Sequence, residues 1–477
     1  MPTRPLTRDQ AFLLPPRLDD LVPTDHPVRF VAAYVDALEP ATWREWDMSG
    51  EGDPLGAPSY HPQLLLGVWL YGFMTRTRSS RGLERACREQ IPLLWLTGCQ
   101  YPDHNSLWRF YRDHREHLRA VFKRTVRTAV RLGLVDLALQ AVDGTKVKAN
   151  AARERTLNRE GLERLMAQVE EAIAALEAQN VADEAPGVAA LPAEMASAQA
   201  LRTRVARALE QVQGEEGRRQ ANVTDPEAGL LRGRDGWVTG YNAQAMVSPL
   251  QAAGAGGLLI TAVAVSAASH DQEQLLPMVA QAGENIGEPV ATTLADGGYH
   301  SGENLRACAA QGYRVVMSES QSEALADPYH KDHFSHDAET DTYRCPQGQQ
   351  LSYRGTTRGR KGVEVRVYCA PGSVCQACVA FGDCTRNRQG RKLTVGAYEP
   401  ELRAHRAAMA EERAQAHYRR RQGIVEPVFG ILKEVMGARG FLTRGLEKVA
   451  AEWCLLAAAF NLRSLWRLWA RGALMLT

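Results

Sequence analysis

Two aspartates and a glutamate have surroundings suited to metal-dependent chemistry. Asp143 lies in Ala-Val-Asp-Gly-Thr-Lys and Asp296 in Leu-Ala-Asp-Gly-Gly-Tyr, each a carboxylate followed by glycine where a short apolar run ends. In an open α/β sheet the carboxyl ends of the strands are where sites form, and glycine lets backbone or ligand approach closely. Asp-Gly is also an ordinary turn signal, but two such pairs, each closing a predicted strand, point to a shared site. Glu426 is the third candidate, in Tyr418-Arg-Arg-Arg-Gln-Gly-Ile-Val-Glu-Pro. Three carboxylates supply the oxygen ligands that hard divalent cations such as Mg²⁺ prefer. The alternative for Glu426 is an exposed helix glutamate paired with a nearby arginine. Pro427 follows it and disfavours helical geometry at the glutamate, so a helix start or kink is expected there.

A second cluster is built of thiols. Cys375-Gln-Ala-Cys378 has the two-residue spacer of a metal knuckle, with Cys384 beyond it and Cys345 upstream in Tyr-Arg-Cys-Pro-Gln-Gly. Four thiolates suffice for tetrahedral zinc. Cys369 is an alternative to Cys345, and His330, His333 and His336 are further candidates; unmetallated buried thiols are the other reading. Cys87, Cys99, Cys308 and Cys454 stand in apolar helical contexts and read as core residues.

The elements that must position these residues show in the apolar periodicity. Residues 62 to 131 recur at helical spacing through Leu64, Leu65, Val68 and Trp69, which predicts a helical N-terminal region. Its last helix, from Ser106 to Arg131, carries eight basic residues against Asp113 and Glu116 and reads as a basic stripe, with Arg112, Arg115 and Arg119 on one face. Short apolar runs follow at 137–142, 241–247, 258–265, 290–295 and 313–317, with helical stretches at 272–282 and 301–311 between the later ones. That order predicts an α/β plan: an antiparallel meander of three strands with two more added in parallel.

Two inserts interrupt the plan. Residues 154–220 predict a helical hairpin broken between Ala185 and Pro192, and residues 325–395 carry five of the nine cysteines. A long helical region from Pro400 to Arg471 closes the chain.

Composition leaves the partner open. The 57 basic residues nearly balance the 55 acidic ones, for a net charge of +2, so only local charge can mark a polyanionic partner. No signal peptide and no apolar run of membrane-spanning length is expected. The expectation is a soluble cytoplasmic protein, whose reducing surroundings favour metal-bound over disulfide-bonded cysteines.

Taken in series, these motifs resemble a known family: bacterial insertion-sequence transposases with an RNase H-like catalytic core and a DDE triad. The resemblance runs through Tyr60-His-Pro, Asp143-Gly-Thr-Lys, Val223-Thr-Asp-Pro-Glu-Ala, Gly240-Tyr-Asn-Ala-Gln, Ala295-Asp-Gly-Gly-Tyr and Ile424-Val-Glu-Pro-Val-Phe-Gly. It implies that Asp143, Asp296 and Glu426 hold two Mg²⁺ or Mn²⁺ ions for phosphoryl transfer on DNA. It also carries over Tyr418, Arg421 and Lys433 as flanking DNA contacts, although Arg421 stands one position off the usual spacing. Lys146 and the arginines near residue 420 would hold the phosphate backbone.

Ser79 to Glu89, a connecting helix and Asp103 to Arg112 resemble a helix-turn-helix capped by Asp103 or Ser106. His104, Asn105, Arg109 and Arg112 would then face DNA, with Trp108 and Phe110 in the core.

The expected fold class is α/β: an RNase H-like mixed sheet with helical insertions, preceded by an all-helical N-terminal DNA-binding domain. The expected divisions are 1–132 for that domain, 133–324 for the first part of the core with the hairpin 154–220, 325–395 for the cysteine-rich insert, and 396–477 for the helices completing the core. The expected function is metal-dependent cleavage at terminal inverted repeats and strand transfer into target DNA. A homodimer on DNA, associated with the bacterial nucleoid, is expected, with structural zinc in the insert. The alternatives are a catalytically silent DNA-binding protein and an RNase H-like nuclease without strand transfer.

Overall fold

A computed structural model describes residues 17–47, 59–182, 193–214, 218–233, 236–252, 255–319, 327–359 and 362–474. The break expected between Ala185 and Pro192 lies outside the described residues. Among the described residues the first elements are eight helices: α1 (Leu18–Leu21), α2 (Pro27–Asp36), α3 (Pro40–Glu45), α4 (Pro62–Met74), α5 (Ser80–Glu89), α6 (Ile91–Thr97), α7 (His104–Asp113) and α8 (Leu118–Arg131). α4 is apolar nearly all round and is accordingly buried on almost every face.

The single helix expected from Ser106 to Arg131 is two. α7 ends where His114 leaves helical geometry (φ −111°, ψ 12°), and a 3₁₀ turn at Arg115–His117 leads into α8. The basic stripe dissolves with it: Arg112 pairs with Asp113 at 2.7 Å, Arg115 with Glu447 at 2.9 Å and Lys123 with Glu284 at 2.6 Å. Arg115 and Lys123 thereby fasten the segment to later helices, while Arg112 is paired within its own helix.

β1 (Gln140–Lys148) begins the central sheet. The first insert folds back on itself as β2 (Thr156–Asn158), α9 (Arg159–Ala182), α10 (Ala193–Gly214) and β3 (Gln220–Asn222), with Leu162 packed beside Val205 and Ala208, and Val169 and Ile173 beside Met195. Then come β4 (Gly229–Gly233), β5 (Gly236–Ala252), β6 (Ala255–Ser266), α11 (Leu275–Ile286), β7 (Thr293–Ala295), α12 (Gly302–Ala310) and β8 (Val315–Met317). The sheet runs β4-β5-β1-β7-β8, with β6 also on β5. β5 runs antiparallel to both β6 and β1, and β7 and β8 add in parallel. The meander with two parallel strands read from sequence is present.

One boundary differs. β1 was expected to stop before Asp143, yet it continues to Lys148, because β5 pairs with it from Ala141↔Val247 through Lys148↔Gly240.

Side-chain alternation divides the two faces of the sheet. Ala141 and Val147 of β1 enter a core shared with α2, α4, α8 and the C-terminal helices, whereas Val142 enters a smaller core with α11 and α12.

The cysteine-rich segment forms a second, antiparallel sheet from β9 (Ser335–Asp337), β10 (Thr342–Arg344), β11 (Gln350–Arg358), β12 (Glu364–Cys369) and β13 (Lys392–Gly396), with α13 (Gly372–Gln376) between the last two. α14 (Glu399–Ala410), α15 (Glu412–Gly430), a π-helical turn at Ile431–Val435 and α16 (Leu446–Ala470) complete the chain. Among the described residues, no helix is long and apolar enough to cross a membrane.

Candidate active site

Strand register brings the two aspartates together. β1 pairs with β7 at Gln140↔Thr293 and Ala141↔Leu294, so continuing the register by two residues sets Asp143 level with Asp296. Neighbouring strands lie about 4.8 Å apart, which places both carboxylates at one edge. Each is steadied by a following glycine: Gly144 N–H donates to Asp143 Oδ1 at 2.8 Å, and Gly298 N–H to Asp296 Oδ1 at 2.9 Å. Burial raises the Asp143 carboxyl above the usual carboxylate range, Arg421 opposes that, and the Asp296 charge adds to it.

α15 supplies the other charges. Arg421 Nη1 donates to Asp143 Oδ2 at 3.2 Å, so the arginine standing one position off the family spacing nonetheless reaches the first aspartate. Tyr418 O–H donates to Ser318 Oγ at 2.7 Å, and Lys433 Nζ donates to Thr145 Oγ1. Asp143 and Thr145, two apart on β1, thus face the C-terminal helix. Glu426 is exposed on α15, between the anchors at Arg421 and Lys433. It stands five positions after Arg421, about 7.5 Å along a helix axis.

The helix start or kink expected at Glu426-Pro427 is absent. α15 runs unbroken through Pro427 to Gly430, and the irregularity comes one turn later as the π-helical turn. A proline inside a helix deprives the carbonyl four residues back of its donor; that carbonyl belongs to Gly423, which is exposed, so water can satisfy it.

The opposite face of β1 holds an acid that sequence reasoning missed. Asp271, in the loop after β6, accepts from Asn242 Nδ2 and Gln244 Nε2, both at 2.6 Å, and its Oδ1 is 3.8 Å from Lys146 Nζ. Tyr299 O–H donates to Gln244 Oε1 from behind. A Cβ placed on Gly298 would stand 3.0 Å from Asp296 Oδ1 and 3.3 Å from Asp271 Oδ2, so these two carboxylates flank that glycine. The signal available was Gly240-Tyr-Asn-Ala-Gln, whose Asn242 and Gln244 alternate along a strand and therefore face one side. Asp271 itself lies in a loop with no periodicity to mark it.

In the N-terminal helices, Asp103 caps α7, accepting from Asn105 N–H at 2.8 Å and Ser106 N–H at 3.0 Å. Asn105 and Arg109 are exposed, His104 Nδ1 is 2.7 Å from Glu84 Oε2 on α5, and Arg112 is held by Asp113. Phe110 is buried as expected, but Trp108 is 43% exposed, lying on Tyr111 at 5.7 Å rather than inside the core.

Cys345, Cys375, Cys378 and Cys384 line one small cavity; Cys369 and the three histidines are not among its lining residues. Cys87, Cys308 and Cys454 are buried as expected, whereas Cys99 is exposed. Among the described residues, no three His, Cys, Asp or Glu side chains are already spaced to hold a metal ion.

Comparison with known families gives two matches. Residues 344–466 match a family described as Transposase DDE domain, and residues 16–113 match one described as Transposase domain (DUF772). The first span contains the four cavity cysteines and Glu426 but neither Asp143 nor Asp296; the second ends with α7. No curated protein matches the chain.

Proposed function

The chain belongs to the DDE-type insertion-sequence transposases, and from that premise we propose that it binds the terminal inverted repeats of its element, cuts DNA there and joins the ends to target DNA. The observation that carries this reading is the placing of Asp143 on β1 beside Asp296 at the end of the adjacent parallel β7, with Arg421 of α15 on Asp143. The strand order β6-β5-β1-β7-β8 supports an RNase H-like core.

These residues fit hard divalent cations: the donors are carboxylate oxygens, and burial, with the Asp296 charge nearby, raises the Asp143 carboxyl despite Arg421. Asp143, Asp296 and Glu426 would hold Mg²⁺ or Mn²⁺. When bound, such ions activate a water or a DNA 3′-hydroxyl and stabilise the departing oxygen.

The chain's own part is positioning. Arg421 offsets Asp143 before DNA arrives and is a cation suited to a phosphate brought to that carboxylate. Lys146, Tyr418 and Lys433 surround the same edge and suit sequence-independent backbone contacts. His104, Asn105, Arg109 and Arg112 on α7 are the residues for base edges, asparagine suiting adenine and arginine guanine. Holding two element ends calls for two copies of the chain.

The test is a cleavage and joining assay on DNA carrying the element's ends with Mg²⁺. Asp143→Asn is expected to lose at least about 100-fold in rate, more than loss of an outer-shell group costs. Cleavage retained at the wild-type rate would remove Asp143 from the mechanism. Cut ends without joined products would favour a hydrolytic nuclease.

A further inference from the structure

The four cavity cysteines come from three separate turns of the second sheet. Cys345 follows β10 in a tight reversal: its N–H donates to Gln349 O at 2.8 Å, its carbonyl accepts from Gly348 N–H at 2.8 Å, and Gly348 adopts φ +77°. Cys375 lies on α13, and Cys378 closes the turn after it, donating to Cys375 O at 3.1 Å. Cys384 ends the next turn, its N–H on Ala380 O at 2.9 Å. Two sulfurs already accept backbone hydrogen bonds: Cys345 Sγ from Gln349 N–H and Cys375 Sγ from Arg391 N–H, both at 3.3 Å. Backbone N–H groups set on sulfur in this way are the outer contacts that orient the ligands of a metal site.

The cavity the four thiols share has a volume of about 20 Å³ and is otherwise walled in part by Leu351, Ala370 and Phe381. That is room for one small ion or a water. Cys369, the segment's remaining cysteine, pairs across the sheet with Ser352 and Lys392 and supplies an internal control.

We propose that Cys345, Cys375, Cys378 and Cys384 bind one zinc ion that holds the second sheet together. Four sulfur ligands match the closed tetrahedral set of structural zinc, with Zn–S bonds of about 2.3 Å. The thiols line one cavity without being set at ligand spacing, so binding draws them inward and releases their protons.

Arg391, which lines the cavity, ties its turns to the segment before β9, and arginines of α14 fasten the module to the C-terminal helices. Arg391 donates to Cys384 O at 2.8 Å and to Tyr329 O at 3.0 Å. Arg403 of α14 donates to Phe334 O at 3.1 Å, and Arg406 to Asp332 Oδ1 at 2.6 Å. The ion therefore steadies the ground on which α14, the helix preceding α15, is seated.

The inference stands apart from DNA cleavage, and so does its test. The full-length chain, purified without chelator, is assayed for metal by plasma mass spectrometry, then exchanged with Co²⁺ and examined by absorption spectroscopy. About one zinc per chain is expected, with sulfur-to-cobalt charge transfer and the strong visible bands of tetrahedral cobalt. Cys378→Ser should lower zinc content at least about tenfold, while Cys369→Ser leaves it unchanged. Wild-type chain that takes up neither zinc nor cobalt overturns the proposal, whether or not the variants fold. Iron in place of zinc, or equal loss in Cys369→Ser, also overturns it.

Discussion

At the scale of single residues, Asp271 is the acid whose role is most open to measurement. Its Oδ1 is taken by two amides, while its Oδ2 faces the glycine beside Asp296. Asp271→Asn keeps the shape but removes the charge and sets an amide against two amide donors. Outer-shell groups of this kind govern affinity by about 10- to 100-fold, so Mn²⁺ binding measured by calorimetry should weaken by that factor, and unchanged affinity would make Asp271 purely structural. A different residue sets a pH limit on stability. His405 of α14 is buried against His300 and Arg406, and burial first, then charge repulsion from those two neighbours, depresses it from 6.5 to about 4. The unfolded chain takes up this proton near pH 6.5 and the folded chain only near pH 4, so stability is full above 6.5 and is lost as pH falls between them. The shift is worth roughly 3 kcal/mol at the acid end. His405→Leu should flatten the urea midpoint between pH 6.5 and 5; an unchanged slope would assign that pH dependence to other groups.

At the scale of elements, α15 shows what sequence could and could not reveal. The apolar runs of β5, β6 and β7 and the helical spacing of α9 were legible because each pattern is local and repeats with its element's own period. The extension of β1 past Asp143 was not, because β5, about a hundred residues away, supplies the partners. Nor was the course of α15, where local chemistry argued for a break at Pro427 and tertiary packing of Ile424, Val425, Val428 and Phe429 carried the helix through. The π-helical turn that follows adds a residue to the turn and carries Lys433, which donates to Thr145 Oγ1. Pro427→Ala restores a backbone donor to Gly423 O, so α15 should gain stability, by up to about 3 kcal/mol. If the proline also holds the register of the π turn, DNA cleavage should fall even as the melting temperature rises. A rise in both would show that Lys433 is placed without it.

At the scale of the whole molecule, the N-terminal helices and the C-terminal helix are locked by one buried ion pair. Arg78, between α4 and α5, donates to Glu452 of α16 at 2.5 Å, and both side chains are almost fully enclosed. Arg78 also donates to Gly437 O at 2.6 Å and Gly440 O at 2.8 Å, while Glu452 accepts from Leu442 N–H and from the Thr443 N–H and hydroxyl. The pair thus closes the loop that brings α16 back after the π turn, joining the segment that carries Glu426 and Lys433 to helices more than 350 residues earlier. No sequence pattern links such distant positions; only a buried arginine facing a buried glutamate makes the connection visible. Removing one partner strands the other charge, so Arg78→Ala should cost about 3–5 kcal/mol in denaturant unfolding. Replacing both, as Arg78→Met with Glu452→Met, removes the stranded charge but leaves the carbonyls and amides of residues 437–443 without these partners. The double variant should therefore recover part of the loss and not all of it. Full recovery would mean that the loop's backbone contacts with the pair contribute little, and a double variant no more stable than Arg78→Ala would mean that those contacts, rather than the ion pair, join the two ends of the chain.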